Sequence, residues 1–275
     1  MEWHLSIPKI LHLYWGGGIL PYIRFMTIKT FMKHNPDWEI NFMYPKYPSK
    51  SITWWNPEQK YNISCKDFLF EVMKLSIIKT PINFNDYGFS NDISEVHKSD
   101  FIRLFQLSTN GGVWSDMDII YFKPMNSLYF NVPENKDIET FYCDHNYGHS
   151  VGFLMSSKEN KFFKKLMDLA KSEYSPHHYQ TMGAMTYKKY FSTPESINKI
   201  TPAMNISMDV VYAHDATYFP EILSNGKPKF TDESIGLHWY AGSSIWKNFL
   251  NQTNGGLENL PDCIIGNLLN GENNE

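Results

Sequence analysis

The sequence predicts an α/β fold in which strands and helices alternate along the chain. Two observations carry that expectation. The first 45 residues read as strand, helix, strand, the pattern of a βαβ unit. Later, "NGGVWSDMDIIYF" (110–122) exchanges helical spacing for strand alternation directly after an amphipathic helix.

The elements follow in order. "IPKILHLYW" is a short alternating apolar run broken by Gly16-Gly17-Gly18, as in a strand entering a glycine turn. "PYIRFMTIKTFMKH" has a proline at the first turn and Ile23, Met26, Ile28 and Phe31 at roughly helical spacing. "DWEINFMYP" alternates Trp38, Ile40, Phe42 and Tyr44, a strand signature. Residues 47–59 are rich in proline and aromatics and read as an irregular excursion, and "CKDFLFEVMKLSII" reads as a helix. Residues 90–94 offer N-cap side chains before the helical "EVHKSDFIRLFQLSTN", which stops at Gly111-Gly112. Val113, Ile119 and Tyr121 favour strand on both sides of Asp116 and Asp118. Helices are expected over "SKENKFFKKLMDLAKSEY" and "HHYQTMGAMTYKKYF", and a late strand and loop over "VVYAHDATYFP". One domain is expected over 1–250, with a frayed Asn- and Gly-rich tail over 251–275.

Bulk composition narrows the function classes. The chain has 275 residues, 42% of them hydrophobic, enough for one sizeable core. A net charge of -4 argues against a general nucleic-acid binder, which needs a basic face. No apolar run approaches the roughly 20 residues that span a bilayer. "MEWHLSIPKI" lacks a basic stretch followed by an apolar one, so no secretory signal is expected. Three dispersed cysteines, Cys65, Cys143 and Cys263, fit a reducing compartment. A cytoplasmic protein is the expectation.

Asp116 and Asp118 raise the chemical question. In extended backbone, residues two apart project to the same face, so both carboxylates would point together while Met117 points away. Such close like charges repel unless a cation lies between them. Carboxylate oxygens suit Mg²⁺ or Mn²⁺, ions that complete their shells with water and substrate phosphate. A bare Asp-x-Asp triplet arises about once by chance in a chain this long. Its surroundings are more telling. Asp100 and Arg103, three apart on the preceding helix, share neighbouring faces, and that helix runs directly into the Asp pair. On a surface, the two would be only a salt bridge worth under about 1 kcal/mol.

"SDFIRLFQLSTNGGVWSDMD" resembles the signature of DXD glycosyltransferases: S-D-x-x-R, then G-G-x-aromatic-x-D-x-D. It is similar to the enzymes with a sugar-binding region containing the DXD motif and to the large clostridial glucosylating toxins. "IPKILHLYWGGG" resembles the family's first strand, and "LHWYAGSSIW" its C-terminal block. Departures are Ser243-Ser244-Ile245-Trp246, where the family more often runs Ser-Trp or Ser-x-Trp, and Trp114, where tyrosine is frequent. The middle of the chain, 143–215, matches loosely.

The resemblance implies a GT-A fold, a Rossmann-like mixed sheet flanked by helices. It implies that Trp15 stacks on the donor's base and that Asp100 and Arg103 hold the donor sugar. Asp116 would bridge the ribose and sugar side, with Trp114 beside it. Asp118 would ligate the metal, together with Asp116 and His238, and the imidazole favours Mn²⁺ over Mg²⁺. Ser243 or Ser244 and Trp246 would close over the diphosphate. The implied activity is retaining transfer from a nucleotide-sugar donor, UDP favoured over GDP, to a saccharide or glycolipid-linked acceptor. Peripheral membrane association stays open. Rival readings are a toxin-like protein glycosyltransferase, a metal-dependent phosphohydrolase and a non-catalytic sugar-binding module.

Overall fold

A computed structural model of the chain describes residues 6–16, 18–50, 66–128, 137–145, 148–214, 219–243, 245–246 and 261–271. The strands expected at the N-terminus form as β1 (Ile10–Tyr14) and β2 (Glu39–Pro45), joined by helix α1 (Tyr22–His34). After a short helix α2 (Leu69–Lys74) comes β3 (Ile78–Ile82). Helix α3 (Glu95–Thr109) leads into β4 (Gly112–Ser115), which is followed by β5 (Ile119–Tyr121). The second half supplies β6 (Thr140–His145), β7 (Gly148–Ser156), α4 (Lys161–Ser172), α5 (Ala184–Tyr190) and α6 (Pro194–Asn198). It closes with β8 (Ala203–Asn205), β9 (Gly236–His238) and α7 (Ile264–Asn270).

Seven strands build one mixed sheet in the order β3-β2-β1-β4-β7-β6-β8, while β5 and β9 pair separately. The β3-β2-β1-β4 half is parallel, and β7 runs antiparallel between β4 and β6. The expected α/β fold, a Rossmann-like mixed sheet flanked by helices, is therefore what the chain adopts. Strand alternation sorts residues to two faces. Leu11, Leu13 and Val113 join Ile28 and Phe31 of α1 in one apolar layer. Tyr14 and Trp114 join Phe101, Ile102, Leu104 and Leu107 of α3 and Phe162, Phe163 and Leu166 of α4 in the other. No helix among the described residues is long and apolar enough to cross a membrane.

The backbone turns where the sequence marks it. Ser94 caps α3 by accepting the His97 N–H at 3.3 Å. Gly112 then opens β4 at φ +99, and a Cβ there would lie 2.5 Å from Ile10 Cγ2 and 2.7 Å from the Ile10 carbonyl oxygen. Only glycine satisfies both conditions. A buried polar chain braces the same corner. Thr80 donates to Asn41, the Asn41 amide meets His12 Nδ1, and His12 Nε2 bonds the Gly111 carbonyl at 2.8 Å. Burial pulls His12 down to about 4 despite that carbonyl, so the ring stays neutral.

The structure departs from the sequence reading in several places; the helix expected over "HHYQTMGAMTYKKYF" forms only as Ala184–Tyr190. The helix read over 65–78 is six residues long. Ile78 instead begins an edge strand that tolerates Pro81. β6 and β7 escaped the alternation test. Both lie inside the sheet, and consecutive Phe153, Leu154 and Met155 are all buried, so no polar face marks the period. "VVYAHDATYFP" is not a strand where it is described. Val210 and Val211 sit in turns whose carbonyls accept from Ile235 and His238 of the β9 segment. The excursion at 51–59 and residues 215–218 and 251–260 lie outside the described residues.

The tail departs most. Residues 263–269 do not fray. Cys263, Ile264, Ile265, Leu268 and Leu269 pack with Ile120, Leu237, Trp239 and Trp246 into a third core cluster. The Asn and Gly residues that suggested fraying surround a short apolar run, IIGNLL, which supplies the helix. Because Ile265 is fully buried there, Ile265→Ala should destabilise the protein by about 2–5 kcal/mol in urea unfolding. A frayed tail would show no change.

Candidate active site

The carboxyl ends of β1 and β4 lie side by side at the centre of the sheet. The helices that follow and precede them belong to opposite layers. In open α/β sheets, this crevice is where ligands bind. Here β1 ends just before Trp15, and β4 ends just before Asp116.

Asp116, Met117 and Asp118 do not continue the strand. They turn between β4 and β5, strands of two different sheets. Four elements hold that turn through its backbone. The Asp116 N–H donates to the Gly152 carbonyl of β7 at 2.7 Å, and Ser115 Oγ donates to the Asp116 carbonyl at 2.9 Å. Thr27 of α1 donates to the Met117 carbonyl at 3.1 Å. The Trp239 N–H donates to the Asp118 carbonyl at 2.9 Å. Met117 points into the core, as expected, and both carboxylates emerge together although the backbone is not extended. All three carbonyls of the turn are thereby satisfied, which fixes its course.

One oxygen of each aspartate is held by the protein. Asp116 Oδ1 accepts from Arg103 Nη2 at 3.1 Å and from Trp114 Nε1 at 2.9 Å. Asp118 Oδ2 accepts the Ala241 N–H at 3.0 Å. Asp118 Oδ1 is buried without a hydrogen-bond donor, yet lies 3.2 Å from His238 Nε2. Asp116, Asp118 and His238 can each present one ligand atom within 4.8 Å of the others. An octahedral shell with bonds of about 2.0–2.1 Å spans roughly 4 Å, so two carboxylates and an imidazole at this spacing suit one Mg²⁺- or Mn²⁺-sized ion. The orphaned Asp118 oxygen makes the same point, since a buried carboxylate oxygen without a donor is costly unless a cation meets it.

Electrostatics keep Asp118 ionised. Burial opposes charge on Asp118, but His238, Arg24 and the Ala241 N–H outweigh it and hold its carboxyl well below the usual carboxylate range. The His238 ring is oriented by packing, with the Tyr240 and Tyr212 rings 4.3 and 5.0 Å from it.

Asp100 and Arg103 sit beside this group. Arg103 Nη1 reaches Asp100 Oδ1 at 2.9 Å, both residues are buried, and the guanidinium lies 5.1 Å from the Trp114 ring. Burial raises Asp100 to about 6; the Arg103 charge counters this and Asp116 adds to it. Asp100 Oδ2 has no hydrogen-bond partner. Directly over it lies Gly183, where a Cβ would come within 2.8 Å of both Asp100 oxygens.

Six of the expected site residues thus converge: Asp100, Arg103, Trp114, Asp116, Asp118 and His238. Trp114 differs in role. It is 1% exposed and stands behind Asp116 as a hydrogen-bond donor, so its place in the core leaves no face for a ligand. Trp15 is nearly buried at the edge of the group, with Arg24 against its ring at 4.7 Å. Trp246 is fully buried edge-on to Trp239, 4.8 Å between centroids, because it fills the third core cluster. Ser243 is partly buried and stabilises its own turn, its hydroxyl accepting from the Ile245 N–H at 3.5 Å. Ser244 lies outside the described residues. The sequence reading missed Arg24, Tyr212 and Gly183. A buried arginine early in α1 gives no periodic signal, and Gly183 is legible only once Asp100 is placed.

The chain matches the family model "Glycosyltransferase sugar-binding region containing DXD motif" over residues 24–133. It also matches "Capsular polysaccharide synthesis protein" over residues 81–220, about half the chain. Asp100, Arg103, Asp116 and Asp118 lie where the two overlap. No curated protein sequence matches it. Among solved structures, it is similar to the PaToxG glycosyltransferase, at 17% identity and TM-score 0.48 over 70% of this chain and 73% of that one. It is also similar to the ligand-free glycosyltransferase domain of the YGT toxin, at 13% identity and TM-score 0.41 over 61% and 63% of the two chains. For the glycosyltransferase GlyE of Streptococcus pneumoniae TIGR4 the values are 13%, 0.48, 87% and 56%. The chain therefore spans less than two thirds of the last two. The second model covers half of the chain, so the chain belongs to the family described as "Capsular polysaccharide synthesis protein", and its DXD aspartates with Asp100 and Arg103 fall within the glycosyltransferase DXD-motif match as well.

Proposed function

We propose that the chain is a divalent-cation-dependent, retaining glycosyltransferase that moves a sugar from a nucleotide diphosphate sugar to a hydroxyl of a saccharide or glycolipid-linked acceptor. UDP is favoured over GDP as the nucleotide. The observation that carries the reading is the convergence of Asp116, Asp118 and His238 with the Asp100–Arg103 pair at the carboxyl ends of β1 and β4. The capsular polysaccharide family description supports a saccharide acceptor over a protein one.

Asp116, Asp118 and His238 would hold the cation, and its imidazole ligand favours Mn²⁺ over Mg²⁺. When bound, that cation supplies Lewis-acid neutralisation of the charge that develops on the departing diphosphate. The remaining work belongs to the protein. Arg103 fixes the carboxylate of Asp116 and stays charged throughout. Asp100 Oδ2, which lacks a partner, accepts a hydroxyl of the donor sugar and so orients the anomeric carbon. Trp15 offers an aromatic edge to the base.

Asp100 and Asp116 are both committed to Arg103, which disfavours either as a nucleophile. We therefore favour front-face attack. The acceptor oxygen bonds the anomeric carbon as the bond to the diphosphate oxygen breaks, and a donor phosphate oxygen takes the acceptor proton. Among the described residues, the Asp116–Asp118–His238 group is one cation's worth of ligands, which favours a transferase over a two-metal phosphohydrolase.

Purified protein with Mn²⁺ and a panel of nucleotide sugars should release nucleotide from one UDP-sugar, and Asp118→Ala should slow that release by at least about 100-fold. Release of inorganic phosphate from simple esters would sink the reading. Trp114→Phe removes the hydrogen bond to Asp116 while keeping an aromatic ring, so it should weaken Mn²⁺ about 10–100-fold in calorimetry. Gly183→Ala places a methyl over Asp100, so it should raise KM for the sugar donor while leaving the affinity for UDP alone unchanged. A matching loss of UDP affinity would show that Gly183 does not shape the sugar subsite.

A further inference from the structure

Lys98 is fully buried, a rare place for an ammonium group, and Glu95, three residues earlier on α3, supplies its counter-charge. Lys98 Nζ donates to Glu95 Oε1 at 2.8 Å and to the Tyr47 carbonyl at 3.1 Å. The same Oε1 accepts the Ser49 N–H at 2.7 Å. The other oxygen, Oε2, accepts from the Tyr14 hydroxyl at 2.7 Å. Burial and the Glu95 charge push that hydroxyl up, so it keeps its proton and stays a donor. Glu95 thus gathers three segments: the last residue of β1, the chain after β2 and the first turn of α3.

The carboxylate also meets backbone. A Cβ at Gly16 would run into Glu95 Oε2 and lie 2.7 Å from its Cδ, so the bare Gly16 Cα rests on the Glu95 carboxyl. Only glycine allows so close an approach. Trp15 is the residue between Tyr14 and Gly16, and Glu95 therefore holds both neighbours of the aromatic assigned to the base. The Trp15 N–H is fixed from the other side, donating to the Met43 carbonyl at 3.0 Å. Asp100 follows Glu95 by five residues on the same helix, about 7.5 Å along its axis. One rigid element thereby sets the spacing between the base platform and the Asp100–Arg103 pair.

We propose that Glu95 is a positioning residue of the donor site: its carboxylate, seated against Gly16 and bonded to Tyr14, holds the Trp15 base platform at a set distance from Asp100 and Arg103. The proposal rests on the nucleotide-sugar reading above. With its oxygens committed to Tyr14, Ser49 and Lys98, Glu95 acts through Trp15 on the nucleoside half of the donor. Its loss therefore separates two affinities that share one cation. UDP needs both the platform and the cation ligands, whereas inorganic pyrophosphate needs the cation ligands alone.

The experiment is isothermal titration calorimetry of the full chain at saturating Mn²⁺, wild type against Glu95→Gln, with UDP and with inorganic pyrophosphate. The variant should bind UDP about tenfold or more weaker and pyrophosphate within about twofold of the wild type. A role confined to stability would weaken both ligands together, because α3 also carries Arg103 and a loosened helix would disturb Asp116. That result overturns the proposal, and so does an unchanged UDP affinity. A wild type that binds neither UDP nor GDP removes the nucleotide-sugar reading itself, and this inference falls with it. If Glu95→Gln does not fold, Tyr14→Phe, which deletes one hydrogen bond to Oε2 and leaves Lys98 paired, carries the same test with the same expected split.

Discussion

The Arg103 guanidinium is the interaction on which the site's arrangement depends. It is 4% exposed and reaches two carboxylates on different elements, Asp100 of its own helix and Asp116 of the turn after β4. Taking these charges out of water is expensive, and a buried pair of this kind is weak evidence for stability. Its value lies in register. Without the guanidinium, Asp100 would be an uncompensated buried charge beside the half-buried Asp116, and breaking such a buried pair costs about 3–5 kcal/mol. With it, α3 is fixed against the β4–β5 turn, and each carboxylate keeps one oxygen for another partner. The Asp100 oxygen faces Gly183, and the Asp116 oxygen faces the ligand group.

The small β5–β9 sheet supplies the other half. Asp118 precedes β5 and His238 ends β9, with Ile119 paired to His238 in register. The sheet's outer side is closed by α7, so the apolar cluster of Ile120, Leu237, Trp239, Ile265 and Leu268 sets where the two ligands meet. The residues that aim Asp118, through the Trp239 and Ala241 N–H groups, lie in the same segment. Docking of the C-terminal helix and geometry of the cation ligands are thus one packing problem.

Much of this was legible in the sequence, for identifiable reasons. Asp100 and Arg103 share a helix, where spacing three apart determines proximity, and Gly111-Gly112 marks the end of that helix by backbone need. The Asp pair was placed on one face by the wrong backbone and still came together, because a tight turn with all its carbonyls satisfied can bring alternate side chains out as a strand does. His238 was legible only through resemblance, since 120 residues separate it from Asp118. Trp114 and Trp246 were misjudged for a common reason. An aromatic beside polar residues reads as a ligand platform in one dimension, whereas burial against Arg103 or Trp239 is a three-dimensional fact. β6 and β7 were invisible to alternation because apolar layers cover both faces of the sheet there, with Phe153 and Met155 in one and Leu154 in the other.

On the proposed reading, charge explains why such a site would need a cation to work. Asp100, Asp116 and Asp118 bring three carboxylates, with the Arg103 guanidinium between the first two and Arg24 acting on the third. On formal charges the carboxylates outnumber the guanidiniums, which disfavours a diphosphate. One divalent ion reverses the sign, so cation and nucleotide are expected to bind in that order and to reinforce one another. On that reading each ligand would improve the electrostatic setting of the next, and the donor would meet a positive site only once the group that stabilises its departing charge is in place.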